Sequence, residues 1–152
     1  FKGKQVGFNP LSPSDFLLAY ALQINGMGEK DIQSVNMTPE GIPSAMASGS
    51  LPIGVTYEPN VSQILAMGGG DKFHVVYSSK DAPGLITDVL AFTEEQIEEN
   101  PEAITAMIKG YQAGLEYMQA HPEESAEIIG KVLGVLQIML RQPLASVINL
   151  LL

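Results

Sequence analysis

Short apolar runs alternate with helical patterns over the first two thirds of the chain. Alternating or continuous apolar residues predict five strands, at 4–8, 31–37, 53–57, 73–77 and 86–92. Apolar residues three and four positions apart predict three intervening helices, at 16–23, 39–47 and 59–67. Strands joined by single helices are typical of a parallel sheet with right-handed crossovers. The pattern therefore predicts an α/β domain with a mostly parallel sheet and flanking helices.

After residue 92 the pattern becomes entirely helical. Thr93 is expected to cap an acidic first turn, and Pro101 to begin a long amphipathic helix. His121-Pro122 should break that helix, and 123–133 should continue as another. The apolar stripe of the long helix has no strand to cover, so we expect its packing partner to lie outside this chain.

The last segment, 132–152, is apolar enough to suggest a membrane helix. Arg141, Gln142 and Pro143 interrupt it near its centre, and a charge and a proline there disfavour a spanning segment. We expect a pair of helices broken near Pro143.

Composition narrows the classes of function. Hydrophobic residues make up 45% and charged residues 16% of 152, which is typical of a globular chain. The net charge of -9 argues against a nucleic-acid partner, because phosphate binding needs clustered Lys and Arg. There is no cysteine, so disulfides and thiolate chemistry are excluded. His74 and His121 stand alone, so neither a metal site nor another cofactor is expected. The chain starts at Phe1, so we expect any signal peptide to be removed or to lie outside it.

The central candidate site follows the strand at 53–57. That strand ends in Tyr57-Glu58, and small ligands bind at the carboxyl edge of open α/β sheets. The Tyr57 ring could stack on a flat ligand, and the Glu58 carboxylate could pair with an amine or a ring nitrogen. Alternatively, the pair is only an amphipathic ring and a solvated charge.

A second candidate is the helix start at Ser12-Pro13-Ser14-Asp15. Free N–H groups, the helix dipole and serine hydroxyls suit an anionic or polar head group. Simple helix capping by Ser12 or Ser14 explains the residues equally well. Both candidates follow strands, so they can face one cleft. Thr38-Pro39-Glu40, after the second strand, has the sequence of an ordinary helix cap.

Five runs in order carry a family resemblance. They are VGFNPLSPSDFLLAYAL, VNMTPEGIPSAMASG, VTYEPNVSQILAMGGG, SSKDAPGLITDVLAF and ENPEAITAMIKGYQAGLEYMQAHPEE. Over 1–133 the chain resembles the second lobe and return segment of ABC-importer substrate-binding proteins for nitrate, taurine, aliphatic sulfonates and thiamine-pyrimidine precursors. The resemblance implies a two-lobed, type II periplasmic binding protein fold, of which this chain is a part.

The resemblance also implies a division of the chain. Residues 1–85 would form lobe two, 86–92 a hinge strand crossing back, and 93–133 helices of lobe one. Residues 134–152 resemble nothing in the family and stay an unassigned apolar helical tail. The missing first lobe, or a second copy of the chain, would cover the helices of 93–133.

The same resemblance assigns ligand-binding residues. Ser12 and Ser14 match the family's serine-bearing turn, and Tyr57 and Glu58 match its aromatic-acid-proline element. Leu11 stands where the family usually has glycine, which would hold the backbone farther from a ligand. Pro52-Ile53 replaces a frequent Asp-Ala. Glu58 would disfavour a bare anion, which favours zwitterionic or heterocyclic ligands over nitrate.

The function implied is a non-enzymatic solute-binding component of an ABC importer. Its partners would be a small-molecule ligand, a membrane permease and an ATPase, in a periplasmic or extracellular location. An enzyme of thiamine-pyrimidine synthesis is one alternative, but that chemistry, as the family implies, uses a cysteine-rich motif. An effector-binding sensory module fused to a regulator is another.

Overall fold

The computed structural model describes residues 1–67, 71–133 and 148–151, the last of these as backbone only. The chain divides into two compact units. The first comprises Phe1–Thr87 and Pro143–Leu152, and the second comprises Asp88–Gln142.

The first unit is built on one five-stranded sheet. Its strands are β1 (Gln5–Phe8), β2 (Gln33–Asn36), β3 (Ile53–Tyr57), β4 (Val75–Ser78) and β5 (Ile148–Leu151). They lie in the order β2-β1-β3-β5-β4. β1 is parallel to both β2 and β3, and β5 is antiparallel to β3 and β4. Four of the five strands thus share a direction, which confirms the predicted mostly parallel α/β sheet.

Three helices connect the strands of this unit. They are α1 (Pro13–Ile24), α2 (Ile42–Ala47) and α3 (Asn60–Ala66). α1 begins at Pro13, whose fixed φ suits the first helical turn. It ends at Asn25 and Gly26, where the left-handed φ of 68° favours glycine. A short 3₁₀ turn, Pro39–Gly41, precedes α2.

The buried apolar side chains of this unit form two clusters. One face packs against α1 in a cluster of apolar side chains: Val6, Phe8, Leu17, Leu18, Ala21, Leu22, Ile32, Ile53 and Val55. The second cluster joins α2 and α3: Ile42, Met46, Leu51, Val61, Ile64 and Phe73. Ile53 and Val55 alternate along β3, so both side chains lie on the face of the sheet that meets α1.

Glycines let α2 approach the sheet closely. A Cβ at Gly7 would lie 2.6 Å from Leu51 Cδ2, and one at Gly54 would lie 2.5 Å from Ile42 Cγ2. Since real Cβ atoms do not approach so closely, a larger residue at either position would force its neighbours to shift, and at Gly54 those neighbours belong to α2.

The strand predicted at 86–92 is wrong. These residues form no regular element in the structure, and Val89 and Leu90 are exposed. The fifth strand is instead β5, inside the segment predicted to be helical. Four apolar-rich residues can be helix or strand by local pattern, and in the structure they pair with β3 and β4. The rest of the predicted tail, 134–147 and residue 152, lies outside the described residues.

The second unit is helical. It contains α4 (Glu94–Glu99), α5 (Pro101–Ala120) and α6 (Pro122–Leu133). As predicted, Thr93 caps the acidic turn, since its hydroxyl accepts the Gln96 N–H at 3.2 Å. None of the side chains of α5 is buried, and its large apolar residues Met107, Ile108, Tyr111, Leu115 and Tyr117 are all exposed.

Among the helices that the structure describes, none combines the length and apolarity that crossing a membrane would require.

Candidate functional site

The N-terminus of α1 and the end of β3 share one edge and one face of the sheet. α1 follows β1, so it begins at the carboxyl edge, and it packs on the face that carries Ile53 and Val55. By strand alternation Tyr57 belongs to that same face. Continuing the register in which Gly7 faces Gly54 puts Tyr57 level with Pro10, just before α1. The two predicted candidate sites therefore follow neighbouring parallel strands at the same edge of the sheet.

Ser12 is the N-cap of α1. Its hydroxyl donates to the Asn9 carbonyl at 2.6 Å and accepts the Ser14 N–H at 3.2 Å. These two bonds tie the end of β1 to the first helical turn. They satisfy one of the N–H groups that a helix start leaves without an intrahelical partner. Ser12 thus has the capping role that the sequence allowed.

Ser14 differs from a cap. Its side chain is 1% exposed, and its Oγ has no hydrogen-bond partner among the described residues. Helical side chains tilt towards the helix N-terminus, so this hydroxyl is directed to the α1 start. Buried hydroxyls are nearly always hydrogen-bonded, and one without a partner calls for an explanation. A polar ligand group at the helix terminus would supply that partner.

Leu11 occupies an unusual backbone conformation beside these serines. Its φ is 55°, in the left-handed region, and its side chain is 100% exposed. The Leu11 N–H donates to Asp15 Oδ2 at 2.9 Å. The position of Asp15 three residues after Ser12 could have indicated a capping carboxylate in the sequence.

Glu58 turns to a different helix. Its Oε2 accepts the Ser62 N–H at 3.0 Å, in the first turn of α3. The structure therefore gives Glu58 a local helix-capping contact, while neighbouring Tyr57, 39% exposed, stands on the α1 face. Ser12, Ser14 and Tyr57 are brought to one edge and face. A ligand-binding role for Glu58 stays a prediction.

A buried polar network behind β3 was not predicted. Thr56 Oγ1 donates to the Pro39 carbonyl at 3.4 Å and accepts from Asn60 Nδ2 at 3.2 Å. It links β3 to α3 and to the turn before α2. Thr38 is the N-cap of that turn, but its hydroxyl makes no capping bond. The only sequence signal was a threonine in an otherwise apolar strand.

The charges near the site are negative. Asp15 and Glu58 both contribute carboxylates close to helix starts, where the dipole favours them. Within the described parts of the chain no three His, Asp or Glu side chains are grouped to hold a metal ion. His121 lies outside the sheet unit, with its ring 4.5 Å from that of Tyr117.

The sheet order and the helix start at its carboxyl edge define a lobe of the periplasmic binding protein fold. Two solved structures share it. The periplasmic aliphatic sulphonate-binding protein SsuA of Escherichia coli superposes with a TM-score of 0.80 at 22% identity, over 97% of this chain and 48% of that one. The alkanesulfonate-binding protein SsuA of Xanthomonas axonopodis pv. citri, bound to MOPS, gives 0.67 at 20% identity, over 96% and 51%.

The chain belongs to the NMT1/THI5-like family, whose profile matches residues 1–125. Curated relatives in Brucella abortus and Brucella suis, named only as candidate binding proteins, are 29% identical over 141 residues. That match covers 88% of this chain and 42% of each relative. The chain thus spans less than half the length of these relatives.

Proposed function

We propose that this chain is part of the solute-binding component of an ABC importer and contributes one side of its ligand cleft. The observation that carries the proposal is the buried Ser14 hydroxyl at the start of α1, which has no hydrogen-bond partner among the residues that the structure describes. It lies at the carboxyl edge of a mostly parallel sheet, where α/β proteins bind small ligands. Family membership and the names of the relatives support a binding function rather than catalysis.

The second side of the cleft would come from another lobe. On this proposal, 1–85 form lobe two, 86–92 the crossing between lobes, and 93–133 helices that lie on lobe one. The exposed apolar residues of α5 support this assignment, because a stripe of that kind is normally covered. The ligand would be enclosed by closure of the lobes about 86–92.

The chemistry of the edge favours a small ligand with an anionic or strongly polar head. The α1 terminus offers the positive end of the helix dipole and the Ser14 hydroxyl, and the exposed ring of Tyr57 offers an apolar face. The nearby carboxylates of Asp15 and Glu58 disfavour a bare anion. Sulfonates, nitrate-like ions and thiamine-precursor heterocycles all remain in the proposed class, and zwitterions suit it best.

The proposed partners follow from the importer assignment. A permease in the membrane and its ATPase would receive the ligand from a periplasmic or extracellular binding protein. A nucleic acid is not proposed as a further partner, because the net charge of -9 would repel its phosphates.

A thermal-shift screen of the natural full-length protein tests the proposal, with the 152-residue chain alongside. The probes are taurine, propanesulfonate, nitrate and an aminopyrimidine thiamine precursor. A raised unfolding temperature with at least one probe is expected in the full-length protein. A shift in neither protein would overturn the importer proposal for these ligands and favour an effector-binding sensory module.

The Ser14→Ala variant locates the binding. The Ser14 hydroxyl has no partner within the described part of the chain, so its loss should leave the unfolding temperature of the free protein nearly unchanged. Affinity for a bound probe should fall by about tenfold, as expected for a lost hydrogen bond to a charged group. Ser125→Ala is the matched control, because Ser125 is 3% exposed and also without a partner among the described residues, but lies in α6. Equal affinities in both variants would contradict the assignment.

A further inference from the structure

Leu11 combines two locally unfavourable properties, a strained backbone and an exposed apolar side chain. A non-glycine residue at φ 55° is strained, because its Cβ crowds the backbone. Its apolar side chain is also 100% exposed and gains nothing from burial. Strained residues cluster where a binding site needs a side chain in a particular place.

The backbone on both sides of Leu11 is held in place. Its own N–H donates to Asp15 Oδ2 at 2.9 Å. The next residue, Ser12, donates its hydroxyl to the Asn9 carbonyl at 2.6 Å. These bonds fix the left-handed turn, so the Leu11 side chain is presented at a defined position beside the α1 start.

We propose that Leu11 is a specificity-determining residue that contacts the apolar part of the ligand. This inference rests on the proposed function, with the polar head of the ligand at Ser14. One further apolar side chain belongs to the same edge of the sheet: Tyr57, 39% exposed at the end of β3. Together Leu11 and Tyr57 give the polar site an apolar border, which selects ligands that carry a hydrocarbon group.

Titration calorimetry with methane-, propane- and hexanesulfonate tests the inference on the natural full-length protein. Each methylene that Leu11 covers should raise affinity by about fourfold, the equivalent of about 0.8 kcal/mol. In Leu11→Gly and Leu11→Ala this gain per methylene should fall, while the affinity for methanesulfonate stays within about twofold. Ile24→Ala is the control, since Ile24 is an equally apolar, 53% exposed residue at the other end of α1.

Stability gives a second readout. Glycine adopts a positive φ without strain, so the urea midpoint of Leu11→Gly should not fall below that of the wild type. Leu11→Ala keeps the Cβ that causes the strain but removes the rest of the side chain. It therefore separates the effect of backbone strain from the effect of the lost apolar contact.

Three outcomes would overturn the inference. Unchanged gains per methylene in both variants would show that Leu11 does not contact the hydrocarbon group. An equal loss for all three sulfonates would assign Leu11 to the head group or to packing between lobes. If the wild type binds no sulfonate, the proposed sulfonate function and the inference are both overturned. If it binds sulfonates but the variants keep the same gain in affinity per methylene, only the inference is overturned.

Discussion

The side-chain amide of Asn60 donates a buried hydrogen bond of 3.2 Å to the hydroxyl of Thr56, the residue before Tyr57 in β3. The same hydroxyl donates to the Pro39 carbonyl, so a single side chain joins three segments. Because β3 also ends in Tyr57, this network fixes the strand that presents the ring to the ligand edge.

Thr56→Val should destabilise the first unit by about 1–3 kcal/mol. Valine keeps the shape of threonine but leaves the buried Asn60 amide without its acceptor. Urea-induced unfolding measures the loss. Thr87→Val is the control, because Thr87 is exposed and should change stability by no more than about 0.5 kcal/mol. Equal effects of the two changes would show that the network is not a source of stability.

Gly54→Ala should destabilise the sheet unit by about 1–3 kcal/mol, as expected for overpacking. The new methyl group would lie 2.5 Å from Ile42 Cγ2 and 2.8 Å from Met46 Sδ, so α2 would have to shift. Gly28→Ala is matched in chemistry and unit, and its Cβ would meet nothing within 4 Å. A denaturant series on both variants should show a loss only at residue 54. A similar loss at residue 28 would contradict the close approach of α2 as the cause.

Ser12→Ala should cost about 1 kcal/mol of stability, the usual value for loss of an N-cap. Ser12→Asn should restore most of it, because asparagine also caps helices well. Thermal unfolding in the absence of ligand measures both. Failure of asparagine to recover stability would indicate that the bond to the Asn9 carbonyl, rather than capping, is the main contribution.

Glu58→Gln should change ligand preference more than stability. The glutamine carbonyl can still accept the Ser62 N–H, but the negative charge is gone. If Glu58 meets the ammonium group of a zwitterion, the preference for taurine over propanesulfonate should fall about tenfold, the equivalent of ~1.4 kcal/mol. Competition calorimetry gives this ratio. An unchanged ratio would restrict Glu58 to its capping contact with α3.

Tyr77 should ionise at higher pH than an ordinary tyrosine. Partial burial, followed by the neighbouring Tyr20 and Asp81, raises the pKa of Tyr77 above 10.0. A pKa that is raised in the native state stabilises the native state while Tyr77 is protonated. This contribution to folding stability is present below pH 10 and is lost as the pH rises through the higher native pKa. Absorbance titration of the wild type and Tyr77→Phe should show the loss of one late-titrating group. If the tyrosine lost in Tyr77→Phe is one that titrates at the ordinary tyrosine pKa, the prediction is contradicted.

Local patterns predicted the elements whose partners are near in sequence. β1, β3 and the cap at Ser12 all follow from alternation or turn chemistry within a few residues. The strand at 86–92 was predicted by the same local pattern and failed, because a strand also needs a neighbour to pair with. β5 has such neighbours in β3 and β4, but they lie 70 or more residues away, where periodicity carries no information.

The candidate site was predicted in part for the same reason. The residue types Ser12, Ser14 and Tyr57 could be chosen from strand ends and helix starts. The burial of Ser14 and the bond that the Ser62 N–H donates to the Glu58 carboxylate depend on the folded structure, which the sequence alone does not show. The left-handed conformation of Leu11 carries no residue signature at all, since leucine rarely adopts it.

The alternation of β3 has a consequence for how this protein can diversify. Residues 54 and 56 belong to the face that holds α2 and α3, whereas Tyr57 belongs to the face of α1. A substitution at residue 57 can therefore alter ligand range without disturbing the packing of α2. In evolutionary terms, one strand carries a structurally constrained side and an adaptable side, so this lobe can acquire new specificities at little risk to its folding.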